Sequence, residues 1–480
     1  MNLEMVVAFG LYILVLGIIG FLAYRQSNAS ADFTLGSRSL SYWVTALAAH
    51  ASDMSGWLFM AFPAAIYEKG MMEAWTAVGL TFFMWLSWKY VAPKLRSMTE
   101  HYHSETLPSF FEERFGDTSG TLRLVSAFFC LLFFTFYIAA NFFALGHLFD
   151  AIFNVSYTTG IAIGSLVVCY ILLGGFLSIA WIDCFQGIFL LGMIILVPCV
   201  VYGHVGGVYS LIEQANLRGL SLSIIPRSYT ELLNALMTAS WGLGYFGMPH
   251  IITKFMGIRD VKEMKKAMHV GIAWQTVTLL AAVSVGLLSI AYFPNDLAQP
   301  SHAFIIMTKE LFTPFVAGLI LCAILASAIN VMGAQILSCA SVLAEDCYKK
   351  FARQTNKVTT AYHIMIASRV SVLAICLIAF TYAYFNREQT IYDLVLYAWT
   401  GLGCSFGPLV LVALHTQLRN KYAALAGIVV GGLTAGLWPF FNTSICAMIP
   451  GFAFSLAAIW LVNMMTKSDK IMAPAVKDMY

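Results

Sequence analysis

Long apolar runs, each about as long as a lipid bilayer is thick, dominate this 480-residue sequence. A transmembrane helix needs about 20 consecutive apolar residues. The strands of a membrane barrel would instead alternate apolar and polar residues, which these runs do not. Because 60% of the residues are hydrophobic and only 11% are charged, a water-soluble fold would expose too much apolar surface. The sequence therefore predicts an all-α polytopic protein embedded in the lipid bilayer.

Thirteen of these runs are predicted to be membrane-spanning helices. Their approximate bounds are 4–24, 39–66, 71–93, 122–148, 156–178, 181–203, 229–256, 266–292, 314–346, 362–386, 390–415, 421–441 and 444–466. The first run is too long for a signal peptide and has no cleavage site of small residues. We therefore expect it to be retained as a span.

Basic residues are concentrated in alternate connections between the predicted spans and in the C-terminal tail. They are Arg25, Arg38, Lys94, Arg96, Lys254, Arg259, Lys262, Lys265, Lys266, Lys349, Lys350, Arg353, Lys357, Arg419, Lys421, Lys467 and Lys470. Connections rich in Lys and Arg stay in the cytoplasm. The pattern predicts an N-terminus outside the cell and a C-terminus in the cytoplasm, as an odd number of spans requires.

No pattern in the sequence is typical of an enzyme active site. The ten cysteines are spread along the chain without a Cys-x-x-Cys pair, so we interpret them as packing residues. His101 and His103 lie in an inner connection, where a solvated charged patch is the simpler interpretation. We therefore expect no catalytic activity, no cofactor and no nucleic-acid partner.

Asp53 is a carboxylate in the middle of the second apolar run, beside Ser52, Ser55 and Gly56. A charge in the hydrocarbon interior costs about 3 to over 10 kcal/mol, so it persists only where a cation, a partner or water meets it. Serine and glycine allow a helix to open there and expose backbone carbonyls. This setting favours a site for a cation or a solute over a residue that only caps or pairs within the bundle.

The seventh span is interrupted in a similar way, by glycine and polar residues over 240–249. If spans 2–6 and 7–11 are two halves, each half begins with an interrupted helix, which is typical of alternating-access transporters. Trp241, Tyr245 and Pro249 recur here every four residues, and this spacing places them along one helix face. We predict that they form one wall of a solute pocket, with ordinary packing as the alternative.

Two more polar residues lie in apolar spans. Tyr137 carries a hydroxyl in the middle of span 4, and its position is compatible with either the core or a binding site. Asp183 lies near the inner end of span 6. We interpret Asp183 as a helix-end cap or a gate in preference to a direct ligand.

Several of these stretches resemble the solute:sodium symporter family. They are residues 52–57, 99–102, 242–250, 323–326 with Gln335, and 344–346. The resemblance covers about residues 5–465 and is greatest to bacterial members that carry proline. It implies a LeuT-like five-plus-five inverted-repeat core with one extra N-terminal and two extra C-terminal helices. It also implies cation-driven import of a small amino acid, above all L-proline, across the bacterial inner membrane.

This resemblance sets the predicted domains and site residues. The domains are the extra helix in 1–30, the transport core in 39–415, the two C-terminal helices in 416–466 and a cytoplasmic tail in 467–480. The implied substrate-binding residues are Asp53, Gly56, Tyr137, Trp241, Tyr245 and Pro249. The implied sodium ligands are the carbonyls of Ala51, Met54 and Ser327 and two hydroxyl side chains in span 9.

The chain departs from the family at those two hydroxyls, where it has Asn330 and Val331. Valine has no ligand atom, whereas a hard cation prefers about six oxygen ligands. His50 stands next to the cation-site residues, and an imidazole titrates near neutral pH. Two coupling hypotheses follow, sodium with Asp53 and a proton with His50. The structural alternative for His50 is a buried ring that is hydrogen-bonded to a helix carbonyl.

Two other functions are compatible with the same residues. A membrane sensor would bind the solute without moving it, but the predicted tail is too short for a signalling domain. A symporter for another small zwitterion is the second alternative, because an aromatic pocket also accepts other small amino acids.

Overall fold

The computed structural model describes residues 2–26, 38–171, 175–354, 360–387, 389–441 and 445–466, and the predicted tail lies outside them. The described chain is helical and contains no β-sheet. Its α-helices are α1 Leu3–Gln26, α2 Tyr42–Ala51, α3 Ala61–Lys69, α4 Trp75–Leu86, α5 Ala92–His101, α6 Leu107–Phe115, α7 Thr121–Phe153, α8 Tyr157–Ile171, α9 Gly175–His204, α10 Gly207–Leu217, α11 Tyr229–Ala239, α12 Pro249–Met256, α13 Met264–Tyr292, α14 Ala303–Leu311, α15 Pro314–Ser341, α16 Lys349–Gln354, α17 Ala361–Phe385, α18 Ile391–His415, α19 Lys421–Leu437 and α20 Met448–Met465.

Nine helices of the described residues are long and apolar enough to cross a membrane. They coincide with nine of the predicted spans and are α1, α7, α9, α13, α15, α17, α18, α19 and α20. Spans 2 and 7 are each divided into two short helices, and span 3 is α4 continued through a π turn into α5. Span 5 is α8, which ends where a described stretch ends. The prediction of an all-α polytopic membrane protein is confirmed, and the count of thirteen stays a prediction.

The two predicted halves, spans 2–6 and 7–11, pack on each other reciprocally. In the first half α4 packs on α11 and the turn after it, and in the second half α13 packs on α2 and α3. The third helix of each half packs on the fifth helix of the other half. α7 of the first half packs on α18, and α15 of the second half packs on α9. Each contact has a counterpart with the halves exchanged, as expected for an inverted repeat.

Three of the membrane-crossing helices among the described residues lie outside the two halves. α1 packs on α9 and α15, whereas α19 packs on α7 and α18, and α20 packs on α18 and α19. α1 and α19 therefore cover equivalent pairs of core helices. Large apolar side chains on the outer faces of these helices are exposed, as expected for contact with lipid; examples are Leu14, Phe21, Leu433 and Trp460.

The two halves approach most closely where α4 meets the interrupted span 7. A Cβ added to Gly79 would lie 2.1 Å from the carbonyl oxygen of Ala239, and one added to Gly242 would lie 2.3 Å from that of Gly79. Only glycine permits this backbone contact. Small residues at helix interfaces serve the same purpose in other membrane bundles.

Candidate functional site

The interruption of span 2 places Asp53 on open backbone in the protein interior. Helix α2 ends at Ala51, a short 3-10 turn covers Gly56–Leu58, and α3 begins at Ala61. Asp53 is only 1% exposed. The indole Nε1 of Trp57 donates to the Asp53 carbonyl at 3.2 Å, which partly replaces the missing helical hydrogen bond.

The interruption of span 7 is built in a similar way. Helix α11 is followed by a 3-10 helix over Ser240–Phe246, and α12 begins at Pro249. The indole Nε1 of Trp399 donates to the Trp241 carbonyl at 2.7 Å. The Ser87 hydroxyl donates to the Tyr245 carbonyl at 3.2 Å. Side chains from neighbouring helices therefore compensate the open backbone.

Tyr245 joins the two interrupted spans, because its hydroxyl donates a hydrogen bond to Oδ2 of Asp53. The same hydroxyl accepts a hydrogen bond from Nε2 of Gln275, on α13, at 3.3 Å. The other carboxylate oxygen, Oδ1, makes no hydrogen bond within the described chain. Our sequence-based prediction missed Gln275, although a single amide in an apolar span was a visible signal.

Tyr137 lies at the same site. It is fully buried on α7, close to Asp53 and Ser55, and its ring meets that of His250 edge-on at 6.0 Å. Among the described residues, the Tyr137 and Ser55 hydroxyls lie close to each other without a hydrogen bond of good geometry, and Oδ1 of Asp53 also lacks one. Buried polar groups without partners are costly, so several of them around one carboxylate indicate a place for a polar ligand.

The predicted single wall of Trp241, Tyr245 and Pro249 is wrong. The 240–246 segment is a 3-10 helix with about three residues per turn, so a spacing of four does not keep residues on one face. The Trp241 ring packs between Trp57, at 5.6 Å, and Tyr392, at 5.3 Å. Tyr245 contacts Asp53, and Pro249 begins α12. The three residues therefore follow one another along the span, at different depths.

The predicted cation residues lie where α15 packs against α2 and the 56–58 turn. Asn330 is 2% exposed, and neither polar atom of its amide has a partner among the described residues. Val331 is fully buried, and the Ser327 hydroxyl donates to the Ile324 carbonyl at 2.8 Å. The Ala51 carbonyl accepts a hydrogen bond from the Met54 amide at 3.2 Å. Their roles as cation ligands stay predictions.

Gly56 is a position of close packing. A Cβ added there would lie 2.7 Å from the Cβ of Ala144 on α7. The turn after Asp53 therefore rests directly on α7, near Tyr137. Any larger side chain at Gly56 would displace the open segment from the site.

His50 is fully buried beside this site, at the end of α2. Its Nε2 accepts a hydrogen bond of 2.9 Å from Nε1 of Trp88. This bond replaces the predicted one to a helix carbonyl. It also keeps Nε2 unprotonated, because the indole nitrogen is a donor only.

A cavity of about 570 Å³ leads toward the site from the end predicted to face outside. Lys69, Glu73 and Ser221 line its mouth, and Trp241 and Tyr392 lie at its inner part. Trp241 is only 4% exposed and packs on Trp57. The Trp241 ring thus connects this cavity to Trp57, whose indole donates to the Asp53 carbonyl.

From the opposite end, a crevice of about 20 Å³ reaches Pro249 and His250. Beside it, Nζ of Lys254 donates to Oδ2 of Asp183 at 2.6 Å, and both side chains are at most 2% exposed. Our assignment of Lys254 to an inner connection was therefore wrong. The residue lies in α12, and its ammonium group points to a buried carboxylate because no water is available to solvate it.

The predicted cytoplasmic ends of the two interrupted spans are fastened together. Leu40 and Ile258 form a short parallel bridge. Nε of Arg96 donates to the Ile258 carbonyl at 2.8 Å, and its Nη1 pairs with Glu100 at 2.7 Å. This hydrogen bond from Arg96 holds the pKa of Glu100 below its ordinary value. Arg38 adds a bond of 3.0 Å to the Met256 carbonyl.

Sequence comparison relates the chain to membrane transporters. The profile of the sodium:solute symporter family matches residues 33–431. The high-affinity proline transporter PutP of Bacillus subtilis (strain 168) is 39% identical over 470 residues, which are 96% of this chain and 98% of that protein. The sodium/proline symporter of Escherichia coli (strain K12) is 37% identical over 477 residues, covering 97% and 93%.

Solved structures show the same fold. A Na⁺-coupled sialic acid symporter, in a substrate-bound outward-open state, matches with a TM-score of 0.82 at 15% identity, over 97% of this chain and 98% of that one. MhsT in complex with L-phenylalanine matches with a TM-score of 0.55 at 14% identity, over 89% and 98%. The expected LeuT-like arrangement is confirmed.

Proposed function

Since the chain belongs to the sodium:solute symporter family, we propose that it imports L-proline together with sodium across the bacterial inner membrane. The relatives named as proline transporters and sodium/proline symporters support this substrate and this ion. The observation that carries the proposal is the buried Asp53 carboxylate, placed between two interrupted helices with one oxygen free of hydrogen bonds. The N-terminus then lies outside the cell and the C-terminus in the cytoplasm.

The proposed substrate site lies between Tyr137, Trp241 and Tyr245. A small zwitterion needs a polar contact for each charged group and an apolar surface for its body. The hydroxyls of Tyr137 and Ser55 are donors for its carboxylate, and the rings of Trp57 and Trp241 are surfaces for an apolar ring. Gly56 keeps this space open by holding the segment against α7. Pro249 then marks the path toward the cytoplasm.

The proposed sodium site uses open backbone and the Asn330 amide. The carbonyls of Ala51, Met54 and Ser327 are the backbone candidates, and Asn330 has a buried side-chain oxygen without a partner in the described chain. Val331 contributes no oxygen. A hard cation satisfies such oxygens and offsets the Asp53 charge. Sodium and solute binding are then reciprocally coupled through the same open segment.

Transport follows from opening the two ends in turn. The cavity that ends at Trp241 is the outer entrance, whereas the Asp183–Lys254 ion pair and the Leu40–Ile258 bridge close the inner end. Release into the cytoplasm requires these inner contacts to separate while the outer rings close. Asp183 therefore has the role of a gate residue.

The proton hypothesis has less support than sodium. His50 is fully buried and already accepts from Trp88. A coupling proton would need to reach this ring and displace that bond. The named relatives that specify an ion are sodium symporters. A symporter for another zwitterion remains as a second candidate, because the aromatic surfaces at the site do not select proline alone.

Uptake of labelled proline into proteoliposomes tests the proposal. We expect an inward sodium gradient to stimulate uptake, and excess unlabelled proline to compete better than alanine or glycine betaine. Uptake that follows a pH gradient in sodium-free buffer would refute sodium coupling. Proline binding without counterflow would identify a sensor instead of a transporter.

The same assay tests the altered cation site. Combining Asn330→Ser and Val331→Thr restores the hydroxyl ligands that the family carries, so half-maximal uptake is expected at a lower sodium concentration. Ser338→Thr on α15 is a control that adds no ligand at this position. An unchanged sodium dependence in this double variant would contradict the assignment of these residues.

A further inference from the structure

Gln275 lies between two residues that sequence reasoning treated as separate coupling candidates, His50 and Asp53. It is fully buried on α13. Its Nε2 donates to the Tyr245 hydroxyl at 3.3 Å, and that hydroxyl donates to Asp53. Gly271, one turn earlier on the same helix, lies against the His50 ring, and the Gln275 amide is close to that ring. One amide thus touches both ends of the site.

The direction of each hydrogen bond follows from the chemistry of the groups. The Trp88 indole is a donor only, so Nε2 of His50 is the acceptor and the neutral ring carries its proton on Nδ1. The Tyr245 hydroxyl gives its single proton to Asp53, so its oxygen accepts from the Gln275 amide nitrogen. The amide orientation is thereby set, with Nε2 toward Tyr245.

Two buried polar atoms between these hydrogen bonds are still without a partner of good geometry in the described chain. Nδ1 of His50 needs an acceptor and Oε1 of Gln275 needs a donor, and within the described chain neither makes a hydrogen bond of good geometry. They belong to side chains that already interact. A small rotation that joins them satisfies both atoms at once, and leaving each unpaired is costly.

We propose that Trp88, His50, Gln275, Tyr245 and Asp53 form one directional hydrogen-bond relay, in which Gln275 is the positioning residue for the Asp53 carboxylate. Every donor points toward Asp53, and successive hydrogen bonds of one direction strengthen each other. The relay holds Oδ2 in place and turns Oδ1 toward the ligand space. This inference rests on the proposed function and adds a determinant of its sodium affinity.

The backbone of α13 is shaped for this relay. Gly271 precedes Gln275 by four residues, so both lie on the same face of the helix. A Cβ at Gly271 would lie 2.2 Å from Nε2 of His50. Glycine therefore provides the space in which the imidazole lies flat beside Trp88, the two ring planes differing by 10°.

Gln275→Met tests the relay, because methionine keeps the volume and removes both polar atoms. We expect the sodium concentration for half-maximal proline uptake to rise about tenfold, with a smaller change in maximal rate. Gln186→Met is the matched control, since Gln186 is another buried amide that donates to a tyrosine, Tyr12, at 2.8 Å on the side of α1. Its sodium dependence should stay within about twofold.

A double-mutant cycle distinguishes a relay from independent contacts. His50→Ala should raise the half-maximal sodium concentration as Gln275→Met does, and the double variant should be no worse than the more affected single variant. Multiplying effects, or a normal Gln275→Met protein, would overturn the relay. If Gln275→Met does not reach the membrane, Gly271→Ala displaces His50 and must give the same shift.

The thermal stability of the same single and double variants is also measured in detergent, since this measurement does not depend on transport. Non-additive losses for His50→Ala and Gln275→Met support the relay, and additive losses refute it. An unaltered protein without sodium-stimulated uptake would refute the proposed function, and the stability cycle would still decide the relay.

Discussion

Asp53 and Asp183 are both carboxylates buried in the core of this membrane protein, but they are neutralised in different ways. Asp183 pairs directly with Lys254 at 2.6 Å, so its counter-charge belongs to the protein. Asp53 meets only a phenol, Tyr245, and keeps one oxygen without a hydrogen bond in the described chain. A buried charge without a counter-ion is costly, so Asp53 is the carboxylate suited to a mobile cation.

The two carboxylates also belong to different parts of the proposed transport cycle. Asp53 lies on the open backbone of span 2, and Tyr245 of the other interrupted span donates to it. Asp183 joins α9 to α12 beside the closed inner crevice, so its bond must break before the inner end opens. The proposed cycle therefore uses Asp53 for binding and Asp183 for closure.

The largest expected effect on transport is that of Asp53→Asn. Removing the charge eliminates the attraction for sodium, so kcat/KM for proline should fall on the order of a hundredfold at low sodium. Asp296→Asn, at a carboxylate paired with Arg218 but highly exposed, is the control and should leave uptake nearly unchanged. Normal sodium stimulation in Asp53→Asn would remove the distinction between the two carboxylates.

The second effect is the loss of stability when Asp183 is deprived of its partner Lys254. Lys254→Gln leaves Asp183 buried without its partner, which should cost about 3 kcal/mol or more of stability. The double variant Asp183→Asn with Lys254→Gln removes both charges and should recover much of that loss. Thermal unfolding in detergent and the amount of protein in the membrane measure both. A double variant as unstable as Lys254→Gln alone would show that the pair does not neutralise itself.

The smallest effect tests whether proline binds near Asp53, beside the Trp241 ring. Trp241→Ala removes a ring packed on Trp57 and should raise KM for proline about three- to tenfold, because aromatic pairs contribute about 0.5–1.5 kcal/mol. Trp438→Ala, at a ring far along the chain whose Nε1 donates to the Ile445 carbonyl, is the control. Equal KM values for the two variants would place the solute elsewhere.

The candidate residues of the two interrupted spans are recognisable from local chemistry alone. Asp53 was recognisable because a carboxylate in an apolar run is expensive, and Gly56 and Pro249 because they interrupt helices. The wall of Trp241 and Tyr245 was wrong since it assumed a 3.6-residue period, and the segment winds as a 3-10 helix. Gln275 and Lys254 were missed because their importance comes from partners far along the chain.

By itself, the sequence determined the membrane setting, the helical class and the two interruptions, because hydrophobic length and helix-breaking residues act locally. Only the tertiary structure decided which carboxylate has a partner. Lys254 is 71 residues from Asp183, and Tyr245 is 192 residues from Asp53. Contacts over such distances arise when the two halves pack on each other. The apolar runs do not specify this packing, because their residues show no pattern that selects one neighbouring helix over another.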